Sequence, residues 1–108
     1  MSITVNIRYR GKDGSAMRFA REMTEKGYVE EIRSRKGNER YEYYQSLDDP
    51  ETVLLIDRWR DQEAIDRHHA SPLMGKIAEL REKYDLHMTV DRFTDDILPD
   101  SDSSFIRK

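Results

Sequence analysis

A chain of 108 residues has room for one domain, and 36% hydrophobic against 38% charged residues leaves a small core, marginal for a lone monomer. With no cysteine, neither a disulfide framework nor a thiolate metal site is available. The net charge of −3 comes from interspersed acids and bases, without the clustered basic face of a nucleic-acid binder, and the longest apolar run, Val53–Ile56, is far too short to span a bilayer.

Residues 3–10 alternate, with Ile3, Val5, Ile7 and Tyr9 on one face and Thr4, Asn6, Arg8 and Arg10 on the other, which predicts a strand. Gly11-Lys12-Asp13-Gly14 breaks it, and Asp13 or Ser15 is the expected cap of the next helix. Ala16, Phe19, Ala20 and Met23 recur at helical spacing and form its buried stripe. Gly27 interrupts that stripe, and Val29 and Ile32 are out of phase with it. A second short helix is therefore expected, to about Lys36, ended by Gly37-Asn38.

Residues 40–47 are rich in strand-favouring tyrosine, and Asp48-Asp49-Pro50-Glu51 is a turn signal. Residues 52–59 form the next strand. Its four consecutive apolar residues, Val53–Ile56, suggest cover on both faces. Asp61 is positioned to cap a short helix through His69. Ser71-Pro72 suggests another helix start, with Ser71 as cap and Pro72 at the first helical position. Leu73, Ile77, Leu80 and Tyr84 mark its stripe. Leu86, Met88 and Val90 then alternate with His87, Thr89 and Asp91 in a last strand.

The order is that of a ferredoxin-like βαββαβ fold of the α+β class: a four-stranded antiparallel sheet with helices on one face. The expected domain spans residues 1–93. Residues 94–108 are an acidic tail whose few apolar residues, Ile97, Leu98, Phe105 and Ile106, leave it mobile unless they dock on a partner. The amino terminus, Met-Ser-Ile-Thr-Val-Asn, lacks a signal pattern, so the expected location is cytoplasmic. One bare sheet face, with nothing further in the chain to cover it, calls for a second copy.

The richest segment for chemistry is 48–73. Trp59 ends a strand, and His68 follows nine residues later on a helix, far enough round a capped turn to fold back over the indole. A helical His can act as a general base near neutral pH, and a Trp can wall an aromatic substrate. The plain alternative is a core Trp packed by a structural His. His69, about 100° further round the helix, is expected on the surface, and His87 in a structural role. Tyr41 and Tyr43 share a strand face, with Tyr44 opposite. Their hydroxyls suit a pocket rim, although packing explains them as well. Asp57 shares a face with Trp59, and its expected role is an ion pair, with Arg8 the candidate partner and a catalytic carboxylate the second reading.

Over about residues 2–93 the chain resembles the antibiotic biosynthesis monooxygenase domain. In that family a Trp closes the third strand and a His follows nine residues later, ahead of Ser-Pro; Trp59, His68 and Ser71-Pro72 match. The resemblance implies a dimeric α+β barrel in which two sheets face each other. It implies a catalytic His68, with Trp59, Tyr41, Tyr43, Ile7 and Leu73 around a small-molecule substrate, and no metal or cofactor. The expected enzyme is a cofactor-independent monooxygenase, or an isomerase, acting on a small aromatic, quinol or keto-enol compound. The substrate anion would react directly with oxygen while the protein deprotonates it and excludes water. The alternative is a non-catalytic dimeric module that binds a small ligand or is purely structural.

Two positions depart from the family. Leu73 stands where many members carry a second His. Ile7 stands where haem-degrading relatives use Asn, and with no His on the Leu73–Tyr84 stripe, haem degradation is disfavoured.

Overall fold

Alternation along the strands sets which side chains meet the helices. In the computed structural model, which describes residues 1–108, β1 (Ile3–Arg10) lies at the centre of a four-stranded sheet ordered β2-β3-β1-β4. The other strands are β2 (Asn38–Gln45), β3 (Thr52–Trp59) and β4 (His87–Thr94), and every neighbouring pair is antiparallel. Residues opposite one another in an antiparallel pair share a face. Ile7 sits opposite Leu55 and Val90, and Tyr9 opposite Val53 and Met88, so these residues form one face with Val5, Asp57 and Trp59.

That face carries the helices. On α1 (Ser15–Glu25), Ala16, Phe19, Ala20 and Met23 are buried, and α2 (Tyr28–Arg33) adds Val29 and Ile32. From α3 (Gln62–His69) come Ala64, Ile65 and His68, and from α4 (Leu73–Lys83) Leu73, Ile77 and Leu80. The helix stripes and the break at Gly27 thus fall where the spacing of apolar residues puts them. The result is the ferredoxin-like α+β arrangement. No helix is long and apolar enough to cross a membrane.

Several local expectations need correction. Neither Asp13 nor Ser15 caps α1. Gly14 occupies the cap position in the left-handed region, and the Ser15 hydroxyl accepts instead from the Lys12 amide. The loop leading into α1 is held from across the fold instead: Glu51, after the β2–β3 turn, accepts from the backbone amides of Asp13 at 2.5 Å and Gly14 at 2.8 Å. A carboxylate there also faces the positive end of the helix dipole. Ser71 does not cap α4. Its hydroxyl donates to the His68 carbonyl at 2.7 Å, closing α3, and Pro72 already has helical dihedrals. β2 starts and ends two residues before the tyrosine-rich run suggests, and Leu86 precedes β4 and packs against the core.

Val53–Ile56 are not covered on both faces within the chain. Val53 and Leu55 are buried under the helices. Leu54 and Ile56 are half-buried on the opposite, open face, among Thr4, Asn6, Arg8, Arg10, Tyr44 and Arg58. β4 is exposed along its whole length. Beyond it, an arm of residues 95–108 includes a 3-10 helix over Asp100–Phe105 and buries none of its side chains.

Candidate functional site

The helices cover β2, β3 and β1 but stop short of β4, because α3 and α4 pack against β3 and β1. Met88 and Val90 lie on the helix side of the sheet, yet they are 39% and 49% exposed. The gap left there is a cleft of about 260 Å³ between α3, α4 and the β1–β4 edge. Its walls are largely apolar: Val5, Ile7, Ile65, Met74, Met88 and Val90. Its polar groups are Asp57, Arg81, His69, Gln62 and Arg92. Arg92 of β4 reaches over to the Gln62 side-chain oxygen of α3 at 2.5 Å, which bridges the two sides. No cluster of three or more His, Asp or Glu gathers to hold a metal ion.

Asp57 is the buried polar group of the cleft, 7% exposed on the central part of the sheet. Its Oδ1 accepts from the Trp59 indole N–H at 2.6 Å. Burial raises its carboxyl to about 7, against the opposing pull of the Trp59 hydrogen bond and the Arg81 charge. Arg8 is not its partner: odd and even positions of β1 point to opposite faces, so Arg8 lies on the open side. The cation near Asp57 is Arg81 of α4. Its guanidinium donates twice to the Tyr9 hydroxyl, at 3.2 and 2.8 Å, which fixes it over the sheet.

Trp59 is 1% exposed and does not wall the cleft directly. It stands one hydrogen bond behind, holding Asp57. His68 stacks on the indole from the far side, with ring centroids 4.9 Å apart and planes inclined by 25°. The nine-residue spacing therefore does bring Trp59 and His68 together. Burial, reinforced by the charges of His69, Arg35 and Arg81, pulls His68 down to about 4, and its Nδ1 has no hydrogen-bond partner. The imidazole is neutral at physiological pH and lies outside the cleft lining.

Of the other candidates, Ile7 lines the cleft and Leu73 is buried at the start of α4, while its neighbour Met74 faces the cleft. Tyr41 and Tyr43 lie on β2, away from the cleft, with hydroxyls 3.3 Å apart and rings packed edge to face. Tyr43 also meets Phe19 of α1. His69 is exposed, as expected, and also borders the cleft. Arg81 is the site residue whose position the sequence conceals; Asp57 stands on the Trp59 face as expected, with Arg81 rather than Arg8 near it. The one available signal for Asp57 is a lone acid on the apolar face of a buried strand. Nothing in the sequence marks Arg81, one of several basic residues on an exposed-looking helix.

A βαββαβ chain folded as a four-stranded antiparallel sheet with its helices on one face defines a ferredoxin-like α+β protein. The sequence matches the profile of the family described as antibiotic biosynthesis monooxygenase over residues 2–80, and the chain belongs to that family. No curated protein matches it. Among solved structures, a conserved protein from Methanosarcina mazei Go1 superposes with a TM-score of 0.74 at 23% identity, over 86% of this chain and 91% of the other. A protein from Pseudomonas aeruginosa gives 0.75 at 22% identity, over 89% and 95%. SnoaB, a cofactor-independent oxygenase from Streptomyces nogalater, gives 0.74 at 18% identity, over 90% and 95%. At these identities the likeness is one of fold.

Proposed function

We propose that the protein is a cofactor-independent oxygenase for a small aromatic, quinol or keto-enol compound bound in the cleft, with Asp57 as the base. The observation that carries this reading is a buried carboxyl on the floor of an apolar cleft, oriented by an indole N–H and faced by a fixed arginine. At about 260 Å³ the cleft is smaller than the roughly 300–1,000 Å³ typical of drug-sized ligands, which favours a small planar substrate. A base that titrates near neutrality exchanges protons efficiently with a phenol or an activated methylene. Arg81 stabilises the resulting anion in a site that excludes much of the solvent. For an activated methylene, Asp57 takes one proton, dioxygen adds to the carbanion, and loss of water leaves a carbonyl. The substrate's two C–H bonds supply all four electrons, so no external reductant enters. SnoaB, which shares the fold, is a cofactor-independent oxygenase.

In this reading His68 is a positioning residue: it backs the Trp59 ring, and Trp59 holds Asp57. Oxygen uptake with a panel of quinols, anthrones and 1,3-diketones, with no metal or flavin added, tests the proposal. Asp57→Asn should lower turnover roughly 10²–10⁴-fold and remove a limb near pH 7 from the kcat/KM profile. Asp57→Asn turning over at the wild-type rate removes Asp57 as the base. Ligand binding without turnover of any substrate moves the protein to the binding-module reading.

The same reading includes a homodimer joined through the open sheet face. Leu54, Ile56, Tyr44 and Phe93 lie on that face with nothing from their own chain over them, and the barrel-forming relatives implied by the family bury the equivalent surface.

A further inference from the structure

We infer that the cleft selects substrates bearing a carboxylate at the end away from the reacting group, and that Arg92 of β4 is the residue that selects them. This rests on the oxygenase reading of the cleft and adds a class of molecule to it: a phenol or quinol with an acid group across the ring.

The charge of the cleft is opposite to that of the molecule. The chain carries −3 overall, yet the cleft is lined by two guanidinium groups, Arg81 and Arg92, and a single carboxyl, Asp57. Burial raises Asp57 to about 7, so at neutral pH it offsets only part of one positive charge. Neither guanidinium forms an ion pair within its own chain. Elsewhere, Arg35, Arg40, Arg58, Arg60 and Arg67 each meet a carboxylate. Arg81 donates instead to the Tyr9 hydroxyl, and Arg92 to the Gln62 amide oxygen. That amide is itself turned by the Asp66 carboxylate, which accepts from its nitrogen at 2.9 Å and so leaves the oxygen facing Arg92. A neutral partner leaves most of a guanidinium's donors and all of its charge available, and the planar fork matches a carboxylate.

Strand register fixes where that charge stands relative to the base. Val5 of β1 lies opposite Asp57 of β3 on one side and opposite Arg92 of β4 on the other. The three form one row across the helix face, with Asp57 and Arg92 two strand spacings apart, roughly 10 Å between backbones. Val5 is the apolar floor between them. A flat ring lying on Val5 has one edge at the Asp57 carboxyl and the opposite edge at Arg92. A hydroxyl at the first edge meets the base, and a carboxylate at the second meets the free guanidinium. Arg81 is committed to the reacting end by its two hydrogen bonds to Tyr9, so the two cations have separate tasks. Arg92 also lies beyond residues 2–80, the span matched by the family profile. Selection of this kind therefore belongs to this chain and does not follow from family membership.

Calorimetry on the full-length protein with para-hydroxybenzoate and its methyl ester tests this without requiring turnover. The acid should bind at least about tenfold more tightly than the ester, a difference of about 1.4 kcal/mol, and the gap should narrow at high salt. Arg92→Gln should bring the acid to the affinity of the ester and leave the ester unchanged. Arg92→Lys should retain part of the preference, because it keeps the charge and loses the fork. Arg21→Gln, on α1 away from the cleft, should change neither affinity. Arg92 is exposed on an edge strand, so its replacement leaves the core intact, and unchanged melting temperatures check this. Equal affinity for acid and ester in wild type, no measurable binding of the acid, or an acid preference that survives Arg92→Gln overturns the assignment. An acid preference that Arg92→Gln abolishes, without oxygen uptake on any carboxylated quinol, retains the carboxylate site and removes the oxygenase reading. Oxygen uptake indifferent to the carboxylate does the reverse.

Discussion

Asp57 and His68 flank the same indole, and burial shifts them in opposite directions. Asp57 rises from 3.8 to about 7, and His68 falls from 6.5 to about 4. A raised carboxyl contributes stability that is complete at low pH and lost as pH rises from about 4 to about 7. A lowered imidazole contributes stability that is complete above about 6.5 and lost as pH falls towards about 4. Between those limits the folded protein holds its proton on Asp57, and the unfolded chain holds one on His68. The two slopes, each about 1.4 kcal/mol per pH unit at full development, therefore cancel. Urea unfolding from pH 4.5 to 6.5 should reveal each slope in the variant that removes the other. Relative to wild type, His68→Gln should lose stability as pH rises, and Asp57→Asn should lose it as pH falls. Curves parallel to wild type in both variants would show that neither group is shifted. Because Trp59 is the only tryptophan, its fluorescence follows the same titration, with the His68 step expected near pH 4 and absent from His68→Gln.

The element ends show how far local signals reach. Asp61 caps α3 as its sequence position predicts, with Oδ1 accepting from Ala64 N at 2.9 Å, because cap and capped amide are three residues apart. Glu51 holds the amides just before α1 from 37 residues away, which only the docking of the β2–β3 turn can bring about. Glu51→Ala should therefore lower stability by about 1 kcal/mol or more, through the two charged hydrogen bonds lost, while Ser15→Ala should leave the Asp13 and Gly14 amides satisfied. Gly37 ends the turn after α2 at φ 91°, and a Cβ there would sit 2.6 Å from that of Ala64. Its carbonyl accepts from Arg60 N at 2.8 Å, so the backbone cannot easily move away. Gly37→Ala should accordingly cost more than about 1 kcal/mol, from strain and clash together. Thermal unfolding of the two variants checks both, and Gly37→Ala at wild-type stability would show that α3 can yield.

For the whole molecule, the helix-side core carries the fold, and the opposite face of the sheet is left uncovered by its own chain. Leu80 is 5% exposed within that core. Leu80→Ala should cost roughly 2–5 kcal/mol; a loss under about 0.5 kcal/mol, ordinary for surface sites, would mean α4 packs elsewhere. Light scattering of wild type at micromolar concentration should give about twice 12.9 kDa if the sheets stack. The cleft lies on the helix side and the proposed interface on the other. Substitutions at Arg8 or Arg10 should therefore change association and leave the cleft's ligand preference alone.

The order of strands and helices, the faces of β1 and β3, the buried stripes of α1 and α4 and the Asp61 cap were legible in the sequence. Each depends on periodicity or on partners within a few residues. The meeting of Trp59 with His68 was legible for the same reason, since one turn joins a strand end to a helix. The composition of the cleft was not. Arg81 meets Tyr9 across 72 residues of chain, and Asp57 faces the cleft only because α3 and α4 stop short of β4. Which ring lies outside the cleft and which carboxyl lies within it depended on where the helices sit across the sheet. A helix's position on a sheet is set by the combined packing of many side chains, and no single stretch of sequence encodes it.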